Sequence, residues 1–166
     1  MSYNFKPLTK YGKFMYNLCF KTGVFLNKYK VLLYILMFTW GLPMSLLGLI
    51  VSLFMLITGH KPIPYHGIWY FETKQIKWWG GIELGCCFCK DQEKGERIQM
   101  HEFGHIHQVI LGPFFVFLVA IPSAARYWII YLFREKYNPP YDQIWFERCA
   151  TDLGHFIITG KKKYID

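Results

Sequence analysis

The sequence predicts a membrane-associated α+β chain, mostly helical, with apolar helices that insert into or re-enter a bilayer and one small antiparallel sheet. Three observations predict it. Val31 to Thr58 runs 28 residues without a charged side chain, which as a helix would measure about 42 Å against a hydrocarbon layer of about 30 Å. Residues 63–89 are rich in β-branched and aromatic side chains punctuated by glycine, the composition of short strands. From Phe103 through Ala125 there is again no Asp, Glu, Lys or Arg. The chain of 166 residues is 53% hydrophobic and 20% aromatic but only 18% charged, so it holds one domain with a real core, residues 1–166.

A formal charge of +8 raises nucleic-acid binding, and its distribution argues against it. Residues 1–30 hold six lysines and no acid, and the next charge is Lys61. A basic flank before an apolar run is the pattern of a membrane anchor with a cytoplasmic N-terminus, and no basic-aromatic nucleic-acid module follows. In residues 1–30, Phe14, Leu18 and Phe25 recur at helical spacing among eight aromatics, predicting an amphipathic helix at a membrane surface. The apolar run starts too late for a secretory signal and no small-x-small site follows. Residues 31–58 form the membrane segment, interrupted at Gly41-Leu42-Pro43. Two geometries fit: one tilted, kinked span, or a re-entrant pair of shorter helices.

After Pro62 the sheet begins. Ile63 to Glu72, Gln75 to Trp79 and Ile82 to Cys89 read as strands with Gly80-Gly81 as a turn. They form either a packing platform for the following helix or an edge that pairs with an extended peptide. Lys90 to Arg97 is a charged loop. A helix over 97–112 ends at Gly112-Pro113, a second apolar segment covers 113–133, and Asp142 caps a last helix over 142–159. Lys161-Lys162-Lys163 closes the chain with a charge that suits anionic lipid. The five cysteines (Cys19, Cys86, Cys87, Cys89, Cys149) are odd in number and lack disulfide-framework spacing, so they read as buried small apolar side chains in a reducing setting.

The helix over 97–112 carries His101-Glu102-Phe103-Gly104-His105. Residues four apart share a helix face, so His101 and His105 can aim two imidazoles at one metal ion, while Glu102 can serve as general base toward an activated water. This is a zincin-type metal helix, and Gly104 leaves room for another element to approach. The bland alternative is a partly exposed helix with surface histidines. A catalytic zinc site needs a third protein ligand. Glu147 is best placed, in a helix with Trp145 and Phe146 to bury the site. Asp152 is the alternative, although as the i+4 partner of Arg148 it has a simpler explanation. His107, His155, His60 and His66 stand behind them; His107 lies about 200° round the helix from His105.

Thr39-Trp40-Gly41-Leu42-Pro43, Gly59-His60-Lys61, Tyr65-His66-Gly67, the five-residue motif with Gln108, Leu111-Gly112-Pro113, Ile121-Pro122-Ser123, Glu147, Ala150 and Leu153-Gly154 occur in an order that resembles a largely uncharacterised family of small bacterial membrane proteins. That gluzincin-like family is regarded as zinc metallopeptidases for the same motif. The resemblance covers residues 35 to 155. It implies Zn2+ held by His101, His105 and Glu147, with Glu102 as base, in a bacterial inner membrane. In the gluzincin arrangement an Asp four residues after the ligand Glu supports a ligand histidine; here that position is Thr151 and the Asp stands at 152. A hydroxyl can accept from an imidazole but brings no charge to raise ligand basicity.

The expected function is therefore a membrane-associated zinc endopeptidase acting on a peptide or membrane-protein segment near the lipid interface. Around the ligands stand Thr151, Gln108, Tyr141 and His155, of which Tyr141 or His155 could assist a developing oxyanion. Two rivals remain. One is a site-2-type intramembrane protease, whose Leu-Asp-Gly order differs from Asp152-Leu153-Gly154. The other is a non-catalytic membrane protein with a structural or vestigial zinc site.

Overall fold

The computed structural model describes residues 7–74, 80–133 and 140–164. Six α-helices and four strands occur among them: α1 (Lys10–Lys28), α2 (Lys30–Phe38), α3 (Leu42–Ile57), β1 (Ile63–Tyr65), β2 (Ile68–Thr73), β3 (Gly81–Glu83), β4 (Cys87–Asp91), α4 (Glu96–Ile106), α5 (Ile121–Phe133) and α6 (Trp145–Thr159). The expected α+β mixture is present.

The Thr9 hydroxyl caps α1 by accepting from the Gly12 N–H at 3.1 Å. One face of this helix, Met15, Tyr16, Cys19 and Leu26, is buried, while Tyr11, Phe14 and Phe25 stand exposed on the other. Lys10, Lys13, Asn17, Lys21 and Lys28 are exposed as well, so the outward side mixes basic and aromatic side chains. The apolar run that follows is broken as Gly41-Leu42-Pro43 suggests: α2 and α3 meet at 89°. The Ser45 hydroxyl donates to the Met37 carbonyl across the corner at 2.7 Å, and the Trp40 indole N–H donates to Ile110 O at 3.0 Å. By length and composition alone this bent pair is apolar enough for a broken span or a re-entrant loop. No single helix among the described residues is long and apolar enough to cross a membrane.

The sheet departs from the expected all-antiparallel one. Its order is β1-β2-β4-β3, with β1–β2 and β3–β4 antiparallel but β2–β4 parallel. All five residues of β4 are buried, Lys90 with Glu72 at 3.0 Å, and a strand covered on both faces suits the centre of a sheet next to a parallel neighbour. The β3–β4 pair is therefore turned over, leaving β3 at the edge. Ile63 to Glu72 is also two strands, because Tyr65 pairs with Ile68 across a two-residue turn in which His66 (φ 48°) and Gly67 (φ 98°) are both left-handed, the tight turn that matches strand twist. Ile82 to Cys89 divides at Gly85 (φ 73°). The expected strand Gln75 to Trp79 lies outside the described residues.

The cysteines are all free and buried. Cys87 of β4 faces α3, its thiol 3.5 Å from Gly48 O. Phe103 and Ile106 of α4 join the core under the sheet with α2 and α3. Phe146 and Cys149 of α6 join a second core with α1.

Candidate metal centre

Helix α4 ends at Ile106, earlier than Gly112. The His107 and Gln108 N–H groups bond three residues back, to Gly104 and His105, tightening the last turn into the short 3-10 stretch Val109–Phe114. This turn lets Gln108 reach back to His105. Helix α6 begins at Trp145, without a side-chain cap. Asp142 is thus not the cap expected; it sits in a preceding turn, Tyr141–Gln143, and is buried.

The two helices approach through small residues. A Cβ on Gly104 would fall 1.9 Å from Ala150 O, and one on Gly154 would fall 1.8 Å from Met100 O. Only a hydrogen at each position permits this crossing, as Gly104 suggested, and the crossing delivers Glu147 to the histidines. His101 Nε2 lies 3.1 Å from Glu147 Oε2, and His105 Nε2 lies 3.2 Å from the same oxygen. The two Nε2 atoms are 3.2 Å apart. Tetrahedral coordination with bonds near 2.05 Å puts neighbouring ligand atoms about 3.3 Å apart, so this triangle has the right size for one small ion.

Hydrogen bonds behind the rings orient them. The Thr151 hydroxyl donates to Asp142 Oδ1 at 3.1 Å, so its oxygen accepts from His101 Nδ1–H at 2.8 Å. The Gln108 side-chain amide donates to Phe146 O at 2.9 Å, which turns its carbonyl oxygen to accept from His105 Nδ1–H at 2.9 Å. Each ring thus has its proton on Nδ1 and directs Nε2 at Glu147. Three electron-rich atoms converging in a buried space suit a cation between them, either a metal ion or a proton shared by an imidazole and Glu147. Burial opposes charge on His105, yet Glu147, Glu102 and Glu83 outweigh it and lift its pKa to about 9. Burial pushes Glu147 up, yet its bonds to His101 and His105 hold it far below the usual carboxylate range. His101, His105 and Glu147 could hold a metal ion.

The acid missing at position 151 is supplied from elsewhere. Asp142 stands one hydrogen bond behind Thr151, and it also faces Arg97 at 3.5 Å and accepts from the Tyr164 hydroxyl. Asp152, the alternative ligand, is buried on the side toward α1, accepting from the Tyr16 hydroxyl at 2.7 Å and the Tyr164 N–H at 2.8 Å. His155 is bound up with the chain's end through Lys161 O at 2.7 Å and does not line the site. Tyr141 does. Its hydroxyl donates to Glu147 Oε1 at 3.1 Å and pairs with Ser123 at 2.8 Å, and burial beside Glu147 keeps it protonated. His107 donates from Nδ1 to Phe103 O at 3.0 Å, away from the centre.

Glu102 lies beside the triangle, and burial, partly offset by His101 and His105, raises its pKa. A Cβ on Gly81 would sit 2.6 Å from Glu102 Oε1; the edge strand therefore needs glycine there to leave room for that carboxylate. Sequence reasoning took Gly81 as part of a turn and did not single out Glu83. Glu83 is buried, accepts from the Gly85 N–H through Oε1, and has no partner at Oε2 among the described residues. Burial pushes it up to about 7. Both acids, with His101, His105 and Tyr141, border a cavity of about 340 Å3 whose remaining wall is largely apolar, from Met44 and Leu47 of α3 to Phe115, Val119 and Tyr127.

No family model, no curated protein and no solved structure matches this chain.

Proposed function

We propose that the chain is a membrane-associated zinc metallopeptidase of the gluzincin-like kind that its motif order resembles. The observation that carries this reading is the convergence of His101 Nε2, His105 Nε2 and Glu147 Oε2 within 3.2 Å of one another on the edge of a cavity. Three protein ligands and adjoining space fit a catalytic ion, whereas a structural one is closed by four. A carboxylate ligand delivered from α6 by Glu147 also fits this reading better than a site-2-type protease, for which Asp152 would have to face the centre.

His101, His105 and Glu147 would hold the zinc ion, which would supply Lewis acidity to a substrate carbonyl and lower the pKa of water. Glu102 accepts the proton as the water oxygen bonds to the carbonyl carbon, then returns it to the nitrogen as the C–N bond breaks. Tyr141, whose phenol stays protonated and borders the cavity, would turn its single O–H from Glu147 Oε1 to negative charge forming on the carbonyl oxygen. Thr151 and Gln108 keep both rings in the tautomer that presents Nε2.

Membrane association is supported by the apolar bent pair α2–α3 and by its exposed side chains, among them Val31, Ile50 and Ile57 at 73%, 66% and 76% exposure. The proposed setting is the bacterial inner membrane, with peptides or membrane-protein segments as substrates.

The test is metal analysis of the full chain purified in detergent, followed by peptide cleavage. One zinc per chain is expected, lost in His101→Ala and His105→Ala; zinc that is absent or indifferent to these changes sinks the site. Glu102→Gln should keep the metal and lower turnover by roughly 10²- to 10⁴-fold, and undiminished cleavage would remove Glu102 from its role.

A further inference from the structure

Glu83 is a buried carboxylate that the mechanism above does not use. It lies on the edge strand β3, two residues from Gly81, so both point to the same side of the sheet, the side where Gly81 meets Glu102. It borders the 340 Å3 cavity, is 9% exposed, and its Oε2 is without a hydrogen-bond partner among the described residues. Ionised carboxylates that are buried require a cation or several donors. Among the described residues that border the cavity there is no Lys or Arg. His105 acts on Glu83 through its charge but turns its Nε2 to Glu147, so a hydrogen-bonding cation for Glu83 Oε2 is left for the ligand to bring.

The rest of the cavity says what else that ligand carries. Met44, Leu47, Phe115, Val119 and Tyr127 offer apolar contact, and 340 Å3 is at the small end of ligand cavities, enough for the end of a chain rather than a long stretch of it. We propose that Glu83 binds the free α-ammonium of a peptide whose first side chain is apolar, so that the enzyme trims amino termini. This rests on the metallopeptidase reading and replaces internal cleavage with terminal cleavage. Water is consumed, the C–N bond near the anchored end breaks, and the products are a short amino-terminal fragment with a new carboxylate and a shortened peptide with a new amine.

The experiment measures binding, so it does not depend on turnover. The full-length Glu102→Gln protein in detergent is titrated by calorimetry with Leu-Leu-Phe-amide, with its N-acetylated form, and with N-acetyl-Lys-Leu-Phe-amide. The free amine should bind at least about tenfold more tightly than the acetylated peptide, as expected when one partner of a buried charge pair is removed. Adding Glu83→Gln should bring the two within about twofold while leaving zinc content at the parent value. Equal affinity of free and acetylated peptides for Glu102→Gln overturns the proposal without any further variant. Binding of the acetyl-lysyl peptide as tightly as the free amine overturns it too, since the cation would then be a side chain. Zinc content is read separately: a chain without zinc that still prefers the free amine fails the metallopeptidase reading and keeps the Glu83 anchor, while a zinc-loaded chain with no preference does the reverse.

Discussion

Where α4 crosses α6 the backbones all but touch, polar side chains are buried and every one of His101, His105, Glu147, Thr151 and Gln108 is held by a named partner. Across the same cavity, α3 and the stretch leading into α5 keep apolar side chains, exposed at Ile50, Leu53 and Ile57 on α3 and at Phe114 and Phe117 beyond the α4 turn. The first region is fixed by hydrogen bonds and by the absence of Cβ atoms; the second needs only bulk and greasiness. Chemistry should therefore be fragile to single-atom changes in one wall, while the other should tolerate substitution and govern what the protein adheres to.

The largest effect expected is at the crossing itself. Gly104→Val or Gly154→Val would drive a side chain into a carbonyl oxygen less than 2 Å from its Cβ, and neither flanking backbone can yield. A loss of about 3 kcal/mol or more is expected, with zinc lost as Glu147 is pushed away. Gly95 has open space around it, so Gly95→Ala serves as the control and should stay within about 1 kcal/mol. Thermal unfolding in detergent with zinc analysis checks both. A stable, zinc-loaded Gly104→Val protein would break the contrast.

Next in size is the support of the ligand histidines. Thr151→Val removes the acceptor behind His101 and severs its link to Asp142, which should weaken zinc binding about 10- to 100-fold. Thr151→Ser, which keeps the hydroxyl, should bind zinc nearly as the parent does. Asp142→Asn should fall between them. Competition with a chelator of known affinity ranks the three.

The acid side of the pH range separates the walls further. Burial lowers His107 to about 4, with help from Lys30, against about 6.5 in an unfolded chain. Between those values the unfolded chain binds the extra proton, so stability falls as pH drops from about 6.5 to about 4 and this group costs nothing above that window. His107→Phe should abolish this part of the acid sensitivity, worth about 3 kcal/mol at most at the acid end. Unfolding temperatures of the two proteins should diverge on acidification and run parallel above pH 7.

How far the sequence foretold these walls follows from the range of the interactions that make them. The His101–His105 pair is set by helical spacing alone, and Glu147 by its place on a later helix with burying aromatics. The 89° corner is marked by Gly41 and Pro43. By contrast, Asp142 follows Pro139-Pro140 and precedes an apolar helix, the local pattern of a cap, and nothing nearby tells that its carboxylate turns toward Thr151 nine residues on. Glu83 and Gly81 were hidden because β3 is only three residues long, Gly81–Glu83, too short for any alternation to separate the side facing Glu102 from the other. The parallel β2–β4 pairing is likewise a long-range choice, made by which strand most needs the centre.

The smallest effect on stability, and the sharpest on behaviour, is expected at the apolar wall. Ile50 and Ile57 are two-thirds or more exposed, so Ile50→Asn with Ile57→Asn removes little packing and should shift stability by no more than about 1 kcal/mol. If α3 rests in lipid, each isoleucine buries several CH2 equivalents at about 0.8 kcal/mol apiece, and the double variant should float with phosphatidylglycerol–phosphatidylethanolamine vesicles at least about tenfold less well. Zinc content should not change, because neither residue touches α4 or α6. Unaltered flotation would mean that the wall's exposed face is not what meets the membrane. Lost zinc would mean that the two walls are not the separable structures their packing describes.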